Sequence, residues 1–227
     1  MKAMLPGLFL CCAVLVLGCN TGFNQPQENL LQTGVKGDKP AAVFHRSHEP
    51  NENAFTFLLP QGWGITGGIT RVDPNASGGA GNAIEAKLYM KLSSADNKAG
   101  MGWLPDTRFF DMRRYPGQNL AAPMFPDGSN YNGMTVMTMP DPATFIRMVA
   151  FPFAHPHAQG MSITGIQALP QLAEEFGNLS AKMLGGYRFS YQVAIATLEY
   201  SENGIQYLEK MVCAIEDYGQ MGGGLWG

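Results

Sequence analysis

The most constraining feature lies near the end of the chain. Tyr187, Phe189, Tyr191, Val193 and Ile195 recur at every second position, and Ile205, Tyr207, Met211, Cys213 and Ile215 all fall on one two-residue period on the far side of "SENG". Successive strand side chains point to opposite faces, so a period of two marks a strand with one buried face. Asn203-Gly204 suits the two positive φ values of a type I′ turn. The segment predicts a long antiparallel hairpin and a sheet to hold it.

Other stretches fit such a sheet. Ile84, Ala86, Leu88, Met90 and Leu92 alternate with Glu85, Lys87, Tyr89 and Lys91, a strand with its charged face in water. Phe55, Phe57 and Leu59 form another, ended by Pro60 and Gly62, with Trp63 as an anchor. Gly67-Gly68 permits a tight turn or bulge before "ITRV", and "PNASGGAGN" at 74–82 reads as a loop. "PDPATFIRMVAF" predicts a helix with Asp141 as N-cap and Pro142 in the first turn, broken or kinked at Pro152. "GMSITGIQAL" reads as a short strand. "PQLAEEFGNLSAKML" is the clearest helix: Leu172, Phe176, Leu179 and Met183 share a face, and Gly185-Gly186 ends it. Residues 105–140, broken by five prolines, are either a functional loop or short strands. The expected class is α+β: a central antiparallel sheet with two or more helices packed against it, following a disordered tether.

The front of the chain bears on location. Met1-Lys2 precedes an uncharged apolar stretch, Leu5 to Leu17. It falls short of the roughly 20 residues that span a bilayer as a helix and suits the apolar region of a secretory signal peptide. Val16-Leu17-Gly18-Cys19 resembles the lipobox of bacterial lipoproteins. The resemblance implies cleavage before Cys19, whose thiol carries a diacylglycerol. Residues 1–18 are then a signal peptide, residues 19–53 a lipidated N-terminus and flexible tether, and residues 54–227 one domain, either complete or truncated at its C-terminal end. A random coil of the tether's length spans roughly 30–35 Å. Asn20 is not the aspartate associated with inner-membrane retention, which favours the periplasmic face of the outer membrane where the source has two membranes.

"FTFLLPQGW", residues 55–63, followed by hairpins and helices, resembles the opening of the Mog1/PsbP-like fold, a central antiparallel sheet with helices against it. That fold ordinarily closes with a further strand and a helix, where this chain has "GQMGGGLWG". Members look mostly like binding or assembly modules, and the resemblance carries over no catalytic residue.

Charge and cysteine content narrow the partners. Net charge is −3, and loss of residues 1–18 removes Lys2 and no acid, leaving −4. No basic stripe is present to displace counterions, which argues against nucleic acid. Attachment to a membrane then rests on acyl chains. Cys11 and Cys12 leave with the signal and Cys19 is blocked, so Cys213 has no partner for an internal disulfide.

No catalytic constellation emerges. There is no G-x-S-x-G or H-E-x-x-H, and Asp106, Asp111, Asp127 and Asp141 fit surface or capping roles better than a glycosidase pair. No cofactor is implied. His45 and His48 fall in the tether; His155 and His157, with Met137 and Met139, form an alternative copper or zinc site. Trp103, Phe109, Phe110, Tyr115, Phe125 and Tyr131 are the candidate partner surface, since aromatic residues are enriched at interfaces. The expected function is a non-catalytic binding or assembly module, anchored at the membrane, with an envelope protein or small ligand as partner; metal handling is the alternative.

Overall fold

The computed structural model describes residues 12–17, 43–73, 79–83, 86–115, 124–219 and 223–227. The chain is an α+β fold built on one large sheet, antiparallel in all but one pairing, with helices on both faces. A separate two-stranded sheet pairs β2 (Phe44–His48) with β3 (Thr56–Pro60).

The large sheet centres on β11 (Ser190–Glu202) and β12 (Ile205–Asp217), paired without interruption from Ser190↔Asp217 to Glu202↔Ile205. Asn203 and Gly204 take φ of 52° and 78°, as a type I′ turn requires. β10 (Gln159–Ala168) flanks β11. The other side of β12 is shared. Near Asp217 it pairs with β13 (Leu225–Trp226), which leads to β7 (Phe109–Phe110), β9 (Met134–Val136) and β8 (Asn130–Tyr131). The irregular stretch thus contains short strands. From Leu208 to Met211, β12 pairs with β1 (Cys12–Leu17). Beyond β1 lie β6 (Gly100–Leu104), β5 (Ala86–Ser93) and β4 (Gly64–Arg71). The apolar segment expected to be signal peptide therefore occupies a place inside the sheet.

A one-turn helix α1 (Gly79–Asn82) lies within the expected loop. Asp141 caps α2 (Pro142–Phe145), accepting from the Thr144 amide at 3.0 Å. A π-helical turn, Ile146–Ala150, joins α2 to α3 (Phe151–Ala154). Pro152 thus does not end the helix: it stands in the first turn of α3, directly after the π-helical turn. Its ring would meet the carbonyl four residues back, and the wider turn relieves that contact.

α4 (Pro170–Met183) packs on β11, but its buried face differs from the expected one. Leu179 is exposed, whereas Gly177 and Ser180 are buried. Ser180 Oγ donates to the Gly177 carbonyl at 2.9 Å and accepts from the Phe189 amide at 3.1 Å. Small residues there let the chain return close against the helix. Phe176 meets Tyr191 edge-on on this side of the sheet, while Phe151 meets Tyr200 edge-on on the other.

The main core joins Ile146 and Phe151 to Ala196, Leu198, Met211, Cys213 and Ile215, with Trp226 fully buried among them. A second core holds Leu59, Ile69, Leu88, Met90 and Leu92, with Trp63 and Trp103 packed against it. A third holds Phe110, Met112, Met134 and Val136.

Residues 44–53, expected in the tether, are part of the fold. Glu49 is fully buried at the end of β2 and accepts from the amides of Ile69 (2.7 Å), Glu52 (2.7 Å) and Asn51 (2.9 Å). This docks the β2–β3 loop onto β4 at Gly67-Gly68, which does not interrupt the strand. Gly67 has φ of 81°, and a Cβ there would strike the Tyr89 carbonyl, so glycine is required.

Candidate functional site: a buried histidine between two glutamates

The alternation of β12 runs through Ile205, Tyr207, Glu209, Met211 and Cys213, and it places one carboxylate on the inner face. Glu209 is fully buried and sits opposite Leu198 on β11. Its neighbour is His155, 8 % exposed, where the chain leaves α3. Proline disfavours the α region for the residue before it, and His155, ahead of Pro156, leaves the helix at φ −132° and ψ 67°. The His155 amide closes the last turn on the Phe151 carbonyl at 2.8 Å.

His155 Nε2 lies 2.9 Å from Glu209 Oε2, and Nδ1 lies 3.4 Å from Glu202 Oε2. The Tyr200 hydroxyl is 3.3 Å from Nε2 and 3.4 Å from Nδ1. The Glu209 contact has ion-pair distance without hydrogen-bond alignment, and neither carboxylate oxygen has an aligned donor. A charged imidazolium donates through both nitrogens and offsets one of the two carboxylates; a neutral ring donates through one. Burial, and after it the Glu209 and Glu202 charges, pushes the Tyr200 phenol far above its ordinary range, so it stays a neutral donor. Phe151 and Tyr207 wall the cluster, with Tyr207 stacked on Tyr200 at 5.3 Å.

Above the cluster, at the hairpin tip, runs an open groove lined by His157, Gln159, Ser201 and Asn203 among others. His155 is not part of its lining. A ligand there would meet exposed polar groups.

The alternative metal set is not assembled. His155 is buried and His157 exposed, so the two rings turn apart around Pro156. Met137 and Met139 pack against the main core, and the Arg114 guanidinium lies 3.5 Å from the Met139 sulfur, an unfavourable neighbour for a cuprous ion. His45 and His48 are exposed on β2. Among the described residues no three His, Cys, Asp or Glu side chains converge to hold a metal.

The expected aromatic surface is mostly interior. Phe109 and Phe110 are buried, Phe125 and Tyr131 pack on the third core, and Trp103 packs on the second. Trp103, Phe109, Phe110 and Tyr131 lie on β6, β7 and β8, and the pairing of those strands sets them against the three cores. Tyr115 is the member with substantial exposure, 38 %. Cys19 lies outside the described residues.

The four aspartates are committed to structure. Asp106 pairs with Lys87 at 2.8 Å, and Asp111 accepts from the Arg113 amide at 3.0 Å. Asp127 accepts from Thr138 Oγ1 at 2.9 Å, and Asp141 caps α2. Lys87, expected in solvent, is buried. Glu209 had a signal in the sequence: it is the charged residue at an inward position of an otherwise apolar alternation.

No helix among the described residues is long and apolar enough to cross a membrane. No family model, curated protein or solved structure matches the chain.

Proposed function

We propose that this chain is a lipid-anchored binding or assembly module of a bacterial cell envelope and not an enzyme. The observation that carries the reading is Val16-Leu17-Gly18-Cys19 directly after a short apolar run. The geometry supports it in two ways. The aspartates once eligible for acid–base work hold strands and helix ends together. The hairpin tip carries a polar groove on a rigid, fully paired base. The Mog1/PsbP-like opening at residues 55–63 points the same way, because members of that family look mostly like binding modules.

The test is mass spectrometry of the mature N-terminus in the whole protein and in a Cys19→Ala variant. A diacylated peptide beginning at Cys19, absent from the variant, is the expected result. A chain that retains Met1 overturns the reading. Saturable capture of an envelope component without turnover is expected of the processed protein.

A further inference from the structure

β1 has two neighbours. It runs antiparallel to β6 from Cys12↔Leu104 to Val16↔Gly100, and antiparallel to β12 from Val14↔Met211 to Leu17↔Leu208. Among the described residues it is the hydrogen-bonded link between the β4–β6 meander and the rest of the sheet. Cleavage before Cys19 would remove it. Strands lie 4.7–4.9 Å apart, so β6 and β12 would be left about 9–10 Å apart, too far to bond each other and right for one extended chain.

Both borders of that slot are held without β1. The meander has its own core of Leu59, Ile69, Leu88, Met90 and Leu92. Leu104, at the end of β6, belongs to the main core, and Tyr89 of β5 meets Phe153 of α3 at 5.8 Å. β12 is paired along its full length with β11. The two edges therefore present unpaired backbone groups at fixed spacing, the condition for adding a strand.

We propose that the processed domain takes up one extended segment of a partner protein in this slot, as a strand antiparallel to both β6 and β12; this rests on the lipid-anchor reading above. The borders state the chemistry of the occupant. β6 offers Gly100, Met101, Gly102, Trp103 and Leu104, with no charge. Gly100 and Gly102 stand opposite the positions that Val16 and Val14 hold, leaving room for branched side chains. The Val16 position also faces Glu209 across β12, a buried carboxylate with no aligned donor. The partner strand is at least five residues, uncharged and branched at those two positions, and a threonine at the second supplies the donor that Glu209 lacks.

The test uses the processed lipoprotein extracted in detergent, its start at Cys19 checked by mass. The probes are a fluorescent peptide of residues 12–17 flanked by lysines, the same peptide with threonine at the position of Val16, and a scrambled control. Expected are saturable binding of one peptide per chain, new amide-exchange protection at 100–104 and 208–211, tighter binding of the threonine peptide, and at least tenfold weaker binding to Gly100→Val. Protection in the unmodified protein keeps the test decisive should that variant fail to fold. A protein that starts at Cys19 yet binds no peptide, binds the scrambled one equally, or already protects both edges overturns the slot and leaves the anchor standing. A chain that retains Met1 with residues 12–17 protected overturns both.

Discussion

Trp226 stacks on Phe109 with ring centroids 4.5 Å apart and 15° between the planes. The indole is fully buried and its Nε1 donates to the Met137 carbonyl at 2.9 Å. Phe145 meets both rings nearly edge-on, at 5.7 Å and 5.9 Å. One residue from the glycine-rich end thus joins α2, β7 and the residue that follows β9.

Trp226→Ala is expected to destabilise the domain by about 3–5 kcal/mol, the usual cost of emptying a large aromatic site. Urea denaturation of the purified protein measures it. A loss below about 1 kcal/mol would show that the indole does not close the core.

Glu49 gives a pH dependence. Burial raises its carboxyl, but the amides of Ile69, Asn51 and Glu52 outweigh that and hold it below the usual range. A depressed folded-state value means stability that is present above the ordinary glutamate range and lost as pH falls through the folded value. The stability gap between the parent and Glu49→Gln should therefore be full at pH 7 and shrink in acid. Denaturation midpoints of both proteins across that range check it, and a gap that widens in acid would contradict the assignment.

Lys87 and Asp106 form a one-sided buried pair, with side chains 6 % and 31 % exposed. Asp106→Ala strands the ammonium and is expected to cost about 1–3 kcal/mol, while adding Lys87→Met recovers most of that loss. A double-mutant cycle by thermal unfolding measures the coupling. Additive losses would mean that the pair is not coupled.

At the buried cluster, His155→Leu leaves the Glu209 carboxyl without its neighbour at 2.9 Å and is expected to destabilise by about 1–3 kcal/mol. Glu209→Leu removes the buried charge and is expected to be neutral or stabilising. Chemical denaturation of the two variants tests the order. A reversed order would mean that Glu209 is held by donors other than His155.

Where local rules suffice, the sequence was legible. The Asn203-Gly204 hairpin, the Asp141 cap and the inward run Leu88, Met90 and Leu92 are each written within a few residues. Errors came where a distant partner decides. The α4 face shifted toward Gly177 and Ser180 because the chain at Phe189 packs there. Lys87 is inside because Asp106 meets it, and residues 44–53 are ordered because Glu49 reaches the amides beside Gly68. The candidate site was half-visible: Glu209 breaks an apolar alternation, but nothing near it names His155 as its neighbour.

By itself the sequence determined the period of β5, β11 and β12, the starts of α2 and α4 and the Asn203-Gly204 turn, because these depend on φ/ψ preferences and on side chains a turn apart. Only the tertiary structure decided which face of α4 is buried, that Trp226 closes the main core, and that the place between β6 and β12 is filled by Cys12–Leu17. Strand pairing joins residues far apart in the chain through backbone groups that every residue carries. Its pattern is set by what fits, and no single stretch of sequence records it.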